Sequence, residues 1–219
     1  MIGGWWMADG DGDGDGRCGI EGNLFLGSRL VVVLLGEVLF VEEWTAVQHR
    51  KVNEMTTSPK IVERAAQPYV AIKSLVSREE IGPVTGKLFG EVFGWLGRHG
   101  LAPVGAPFFR YGTVDMEKGL EIEFGVPTAK PVAGDHRVLA DVLPAGRYAS
   151  LIHQGPYEQL YDANGTLGKW IEEQGLKVDV RRTPESDKFG RRLEVYLTDP
   201  AVEKDPQKWE TEVAFKLAS

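Results

Sequence analysis

The amino-acid sequence predicts an α+β fold made of two tandem β-α-β-β units with pseudo-twofold symmetry, antiparallel sheets and two main helices. Two alternating segments, residues 120–127 and 193–200, match in register at an offset of 73, and each ends in a proline. A second match, at an offset of 75, aligns Trp95-Leu96 with Trp170-Ile171 and Gly100-Leu101 with Gly175-Leu176. Repetition at a nearly constant period predicts a repeated structural unit.

The first repeat, at about residues 59–130, has the pattern of a strand, a helix and a hairpin. A strand is expected at 69–76, a helix at 79–99, and hairpin strands at 108–114 and 119–126. The helix carries apolar residues at the spacing of one buried face. These residues are Ile81, Val84, Leu88, Val92, Trp95 and Leu96.

The second repeat, at about residues 135–219, has the same order with added strands. Its expected elements are strands at 137–141, 147–153, 178–182, 192–197 and 210–217 and a helix at 157–174. Gly100 and Gly175 follow the two helices, at the position where a left-handed residue commonly ends a helix. Both glycines are therefore expected to cap a helix.

Residues 1–54 differ in composition from the rest of the chain. They hold 4 basic and 9 acidic residues, and so most of the net charge of −7. Alternating Asp and Gly at 9–16 cannot bury apolar surface. The apolar run at 30–41 is too short to span a membrane, and an added strand or a helix is possible there. We predict that 1–54 is a disordered or artefactual extension, and that residues 55–219 form the ligand-binding domain.

Several function classes are excluded by composition and motif. One cysteine, Cys18, excludes a disulfide framework and a cysteine-based zinc site. The four histidines lack metal-ligand spacing, so no metal is expected. The sequence contains no phosphate-binding loop, nucleotide motif or nucleophile elbow, and therefore no cofactor is predicted. An acidic chain without a helix-turn-helix predicts no direct contact with nucleic acid. A cytoplasmic protein without membrane contact is expected.

Carboxylates recur on the strands that match between the repeats. Alternation places Leu193 and Val195 on one face of their strand and Glu194 and Tyr196 on the other. The apolar face is expected to pack under the helices. Glu121 and Glu123 take the matching positions of the first repeat, so the carboxylates lie on the other, non-core face. This pattern fits a solvated sheet face as well as a binding site.

Glycines recur every four residues in the first helix, where each costs about 1 kcal/mol relative to alanine. Gly82, Gly86, Gly90 and Gly94 lie along one slowly drifting side of the helix. Two interpretations remain open. The glycines form a smooth surface that a flat ligand or another helix can approach, or they reflect a chain that is rich in glycine.

Two short motifs carry a family resemblance. Gly146-Arg147-Tyr148 precedes the second helix, and a Glu-x-Tyr-x-x-x-Pro strand runs from Glu194 to Pro200. With the duplication, these motifs resemble the GyrI-like small-molecule-binding domain, which is also the effector-binding domain of some AraC-type and MerR-type regulators. The similarity covers about residues 59–219.

The resemblance implies a pocket in the cleft at the pseudo-twofold axis, lined by aromatic residues around a glutamate. That glutamate corresponds to Glu194, with Tyr196 beside it. The candidate ligand-binding residues are Glu194, Tyr196, Glu123, Glu121, Trp170, Tyr148, Tyr111 and Phe93. Since a buried carboxylate is costly unless paired, the pocket is expected to take a cationic or donor-bearing ligand.

Three functions follow from the resemblance. The first is the binding of amphipathic or aromatic small molecules, of the drug or toxin class, for sequestration or protection. The second is a cofactor-free hydrolase that opens strained, cyclopropane-bearing DNA alkylators. In it a tyrosine (Tyr196 or Tyr148) donates a proton and Glu194 activates water, so Glu194 and Tyr196 are the candidate catalytic residues. The third is modulation of a protein partner such as DNA gyrase.

Overall fold

The computed structural model describes residues 55–115, 119–182 and 187–218, together with three strands between residues 25 and 40. These strands are β1 (Phe25–Leu26), β2 (Arg29–Leu34) and β3 (Glu37–Phe40), and they form an antiparallel sheet in that order. The apolar run therefore forms strands. The other residues of 1–54 lie outside the described part, and the prediction of a disordered or artefactual extension stays a prediction.

The main domain is one antiparallel sheet with two helices. Its strands are β4 (Lys60–Arg64), β5 (Gln67–Val76), β6 (Phe108–Asp115), β7 (Gly119–Pro127), β8 (Leu139–Leu143), β9 (Gly146–Gln154), β10 (Val180–Arg182), β11 (Asp187–Tyr196) and β12 (Glu210–Lys216). The helices are α1 (Ile81–Arg98) and α2 (Leu160–Glu173). The predicted α+β class, with antiparallel strands and two main helices, is confirmed.

The strand order is β4-β9-β12-β11-β6-β7-β5-β8, with β10 paired to β11. The pair β6–β11 is central. The edge strand β4 pairs with β9, which precedes α2, and the edge strand β8 pairs with β5, which precedes α1. The sequence match compared β7 with β11, but β7 lies between β5 and β6, and β11 lies between β6 and β12. The two strands therefore take different places in the sheet. The internal duplication stays a prediction.

Short links force the sheet to curl. Only Ala65 and Ala66 join β4 to β5, although five strands lie between them in the sheet. Six strand spacings would separate them by about 29 Å in a flat sheet, whereas three Cα–Cα steps reach about 11 Å. The link from β8 to β9 is equally short. The ends of the sheet must therefore approach each other, and one face becomes concave.

Both faces of the curled sheet are buried. The larger core lies under the helices and includes Phe89, Val92, Ile122 and Leu167. A second cluster joins strands from both ends of the sheet on the concave face. It contains Tyr69, Ala71, Phe108, Leu143, Tyr148, Leu193 and Ala214. The sheet therefore has a buried cluster on each face, including the face on which the carboxylates were predicted to lie.

Glycines end both helices as predicted. Gly100 follows α1 and Gly175 follows α2, and each has φ of 64°, in the left-handed region. Leu101 N–H donates to the Leu96 carbonyl, and Leu176 N–H donates to the Ile171 carbonyl, which closes the last turns. The two helices therefore end by the same backbone geometry.

Candidate functional site

Glu194 lies on β11 beneath the helices and is 5% exposed. Its strand neighbours are Phe109 on β6 and Val213 on β12. Tyr196 shares its face and belongs to the helix-side core. The expectation that Leu193 and Val195 pack under the helices is wrong, because both lie in the cluster on the concave face. The carboxylate therefore points into the main core.

Three neutral groups donate hydrogen bonds to the Glu194 carboxylate. The Tyr111 hydroxyl donates to Oε2 at 2.9 Å, and the Tyr196 hydroxyl donates to the same atom at 3.4 Å. Asn164 Nδ2, from α2, donates to Oε1 at 2.8 Å and also to the Leu160 carbonyl at 2.7 Å. The carboxylate thus links the central strands to the second helix.

No cation contacts this carboxylate directly within the described residues. Arg192 reaches it only through Asn164, whose Oδ1 accepts from Arg192 Nε at 3.1 Å. The guanidinium instead lies over the Tyr111 ring, 4.8 Å from its centroid. Burial, followed by the charge of Glu194, raises the pKa of Tyr111 and of Tyr196 well above the usual value. Both hydroxyls therefore stay protonated and act as donors.

Aromatic rings surround the Glu194 network. The Tyr196 ring lies 5.0 Å from Phe109, 5.4 Å from Tyr157 and 6.4 Å from Phe89, each edge to face. Such rings offer both apolar area and negative faces, which suits an aromatic or cationic ligand.

A cleft of about 1010 Å³ runs along α2. Its lining includes Asn164 and Arg192, which connect to Glu194, and Trp170 and Phe215. Trp170 therefore lines the cleft but makes no described contact with Glu194. The route from this cleft to Glu194 is closed by the Asn164 side chain and its hydrogen bonds.

Glu123, predicted for the same pocket, lies on the opposite face of the sheet. It is 4% exposed and forms an ion pair with Arg110. The Tyr69 hydroxyl donates to it at 2.6 Å, and also lies 3.2 Å from an Asp141 oxygen. Burial raises the pKa of Tyr69, so this hydroxyl also stays protonated. Glu123 and Glu194 are therefore separate sites.

The remaining predicted residues are dispersed. Glu121 is partly exposed beside Lys73, 3.2 Å away. Tyr148 lies in the concave cluster, where its hydroxyl donates to the Pro144 carbonyl at 2.9 Å. Phe93 is half-buried on α1, 6.4 Å from Phe89. Of the eight candidates, the structure brings together Glu194, Tyr196 and Tyr111.

Sequence reasoning missed Asn164, Arg192 and Phe109. A signal for Asn164 was present, because it lies on the buried stripe of α2 between Leu160 and Leu167. A buried amide in a helix interior needs partners. No comparable signal marks Arg192 or Phe109, since their positions depend on strand pairing.

The chain belongs to the family of GyrI-like small-molecule-binding domains, which it matches over residues 57–218. No curated protein sequence matches it. Among solved structures, it resembles EcmrR in a DNA complex with a TM-score of 0.61 and 20% identity, covering 81% of this chain and 63% of that one. It therefore spans less than two thirds of that protein.

Two further structures share the fold. The EcmrR C-terminal domain matches with a TM-score of 0.54 and 20% identity, covering 74% of this chain and 98% of that domain. SAV2435 bound to tetraphenylphosphonium matches with a TM-score of 0.50 and 10% identity, covering 74% of this chain and 95% of that one. At these identities the likeness concerns the fold alone.

Two absences hold for the residues that the structure describes. No helix there is long and apolar enough to cross a membrane. No three side chains of His, Cys, Asp or Glu come together there as metal ligands.

Proposed function

We propose that this chain binds aromatic or amphipathic small molecules that carry positive charge, with Glu194 as the group that accepts the charge. One observation carries the proposal. Glu194 is a buried carboxylate that is satisfied by three neutral donors inside a group of aromatic rings. An uncompensated buried charge is costly, so a cation that approaches it gains attraction strengthened by the low dielectric.

Binding at Glu194 requires a local opening of α2. Asn164 covers the carboxylate from the helix and separates it from the cleft. A ligand that binds only the open form shifts the population toward it, and its apparent affinity falls by the fraction that is open. Tetraphenylphosphonium, which SAV2435 binds, is an aromatic cation of suitable chemistry for such a site. Sequestration of drug-like or toxic cations is the role that this chemistry suits.

Calorimetry with tetraphenylphosphonium tests the proposal. Tetraphenylborate, which has nearly the same shape and the opposite charge, is the control ligand. Glu194→Gln should weaken binding of the cation by about 30-fold or more, which corresponds to about 2 kcal/mol. Glu121→Gln, the same change at a partly exposed carboxylate outside the Glu194 network, should leave the affinity unchanged. Equal binding of the two ions, or an unchanged affinity in Glu194→Gln, would refute the proposal.

A hydrolase is the second candidate, favoured by two protonated tyrosines that share one carboxylate oxygen. In this reaction Glu194 would take a proton from water as the water oxygen bonds to a cyclopropane carbon. The ring carbon–carbon bond breaks, and its electrons move into the conjugated carbonyl, whose oxygen receives a proton from Tyr111 or Tyr196. Glu194 then returns its proton to the tyrosinate, so the product has gained one water and the reaction needs no cofactor.

Mass spectrometry of a cyclopropane-bearing DNA alkylator incubated with the protein separates the two candidates. A gain of one water that Glu194→Gln abolishes would identify a hydrolase. Unchanged compound that remains bound would support the binding protein alone. Modulation of DNA gyrase stays a prediction of the family resemblance.

A further inference from the structure

A second cavity, of about 380 Å³, lies on the concave face of the sheet. Its floor is the apolar cluster of that face, to which several lining residues belong: Phe108, Leu143, Tyr148, Leu193 and Val195. Among the described residues, none that lines the cleft along α2 also lines this cavity. Its volume falls in the lower part of the range that is typical of small-molecule sites. We refer to it as the concave cavity.

Small residues leave the space at the edge of the concave cavity. Ala65 and Ala66 line it from the short link between β4 and β5, and both are exposed. Gly105 and Ala106 line it from the segment that precedes β6. No side chain larger than a methyl group extends from these four residues. The cavity is therefore present in the folded protein, whereas Glu194 becomes accessible only after α2 opens locally.

Arg64 is the one charged residue among the described residues that line the concave cavity. Its Nη2 donates to Glu212 Oε1 at 2.6 Å, and its guanidinium carbon lies 5.0 Å from the centroid of the Tyr148 ring. In the described part of the chain, no other nitrogen of this guanidinium has an acceptor. The side chain is 24% exposed. Since a guanidinium carries five N–H donors, several remain for a ligand.

The donors of the other polar side chains in the lining are already used. Gln67 Nε2 donates to two main-chain carbonyls, at 2.8 and 2.9 Å. The Tyr148 hydroxyl donates to another main-chain carbonyl, at 2.9 Å. Burial raises the pKa of Tyr148, and the charges of Arg64 and Arg191 oppose that shift. The cavity therefore combines an apolar, aromatic floor with a single positive group at one side.

We propose that the concave cavity is a second ligand site, which binds a small aromatic carboxylate. The aromatic ring packs on the apolar floor, and the carboxylate accepts hydrogen bonds from Arg64, whose planar fork matches a carboxylate. This site differs from the Glu194 site in the sign of the charge that it takes and in needing no movement of a helix. The inference goes beyond the proposed function and does not depend on it.

Calorimetry on the full chain with 2-naphthoate and 2-naphthamide tests the second site. The two probes have nearly the same shape, and only 2-naphthoate is an anion at pH 7. In the wild type it should bind about 10-fold more tightly than the amide, the effect of a charge-assisted hydrogen bond. Saturating tetraphenylphosphonium should leave this affinity unchanged, because the two sites lie on opposite faces of the sheet.

Two variants should move the affinity for 2-naphthoate in opposite directions. Glu212→Gln removes the anion that competes for Arg64, so it should strengthen binding by about 3-fold. Arg64→Gln combined with Glu212→Gln replaces the ion pair by two amides and leaves no unpaired charge. This double variant should reduce the preference for the carboxylate to about 2-fold or less. A general loss of structure would not strengthen binding, so the first variant separates recognition from folding.

Arg147→Gln is the control, because Arg147 precedes Tyr148 on β9 but is exposed on the other face of the strand. It should leave both affinities unchanged. Equal binding of the two probes, or no binding of 2-naphthoate, would overturn the second site. A preference that survives the double variant, or displacement of 2-naphthoate by tetraphenylphosphonium, would also overturn it. Failure of tetraphenylphosphonium to bind would refute the proposed function alone.

Discussion

Two carboxylates lie in the interior of this domain, on opposite faces of one sheet. Glu123 on the concave face has an arginine as its direct partner and a tyrosine as a second donor. Glu194 on the helix side has two tyrosines and an asparagine. Both are almost fully buried. The difference lies in the partners, since Glu123 pairs with a cation and Glu194 accepts only from neutral groups among the described residues.

In the proposed function, this difference separates a structural carboxylate from the one that binds the ligand. A buried ion pair adds little to the free energy of unfolding. Removing one of its partners leaves an unpaired buried charge, which lowers that free energy strongly. A carboxylate held by neutral donors has no cation of the fold as its direct partner, which leaves that place for the cation of the proposed ligand. Both residues lie on strands and both are buried in the structure, so only their partners distinguish them.

The largest expected effect is on the ion pair. Glu123→Gln should lower the free energy of unfolding by about 3–5 kcal/mol, because Arg110 is left buried and unpaired. Glu194→Gln should lower it by only about 1–2 kcal/mol, since the amide oxygen can still accept from the two tyrosines and only the hydrogen bond from Asn164 is lost. Urea denaturation of both variants measures the contrast. Equal losses would mean that the two carboxylates have the same role.

Two glycines give the next contrast, one on the concave face of the sheet and one on the exposed side of α1. A Cβ on Gly125 would lie 2.5 Å from the Phe108 ring in the concave cluster, whereas one on Gly90 of α1 meets nothing within 4 Å. Gly125→Ala should therefore cost about 1–3 kcal/mol by overpacking. Gly90→Ala should stabilise by about 0.5–1 kcal/mol through helix propensity. Thermal unfolding tests both, and a stable Gly125→Ala protein would argue against a tightly packed concave face.

Within the Glu194 site, the two tyrosines should differ. Tyr111 is 2.9 Å from Oε2 and Tyr196 is 3.4 Å away. Tyr111→Phe should reduce the free energy of unfolding by about 1–2 kcal/mol, and Tyr196→Phe by about half as much, because hydrogen bonds weaken with length. Chemical denaturation compares them, with Tyr161→Phe as an exposed control. A larger loss in Tyr196→Phe would reverse the assignment of the stronger donor.

The smallest effect concerns acid sensitivity on the helix side. The pKa of His153 is lowered in the folded state, so below about pH 6.5 the unfolded chain binds a proton that the folded chain does not. Stability is therefore present above that pH and falls as the pH drops, by at most about 1.4 kcal/mol per pH unit. His153→Gln should flatten the profile between pH 6.5 and 5. His136→Gln, at an exposed histidine, should not.

Periodicity predicted the longer elements. The helix expected at 79–99 is α1, and the strands expected at 119–126 and 210–217 are β7 and β12. It failed for β4, Lys60–Arg64, which is a short edge strand with three charged residues and mostly exposed side chains. Its pairing with β9 depends on a partner more than 80 residues away, which no local pattern reveals.

By itself, the sequence determined which residues share a strand face, because side chains alternate along an extended chain. Glu194 with Tyr196, and Leu193 with Val195, could be grouped on that basis alone. Which group lies beneath the helices was decided only by the tertiary structure. The sheet curls, both of its faces are buried, and apolar character therefore no longer distinguishes the helix side from the other side. Because of the same curl, Glu123 is buried on the concave face and Glu194 is buried under the helices.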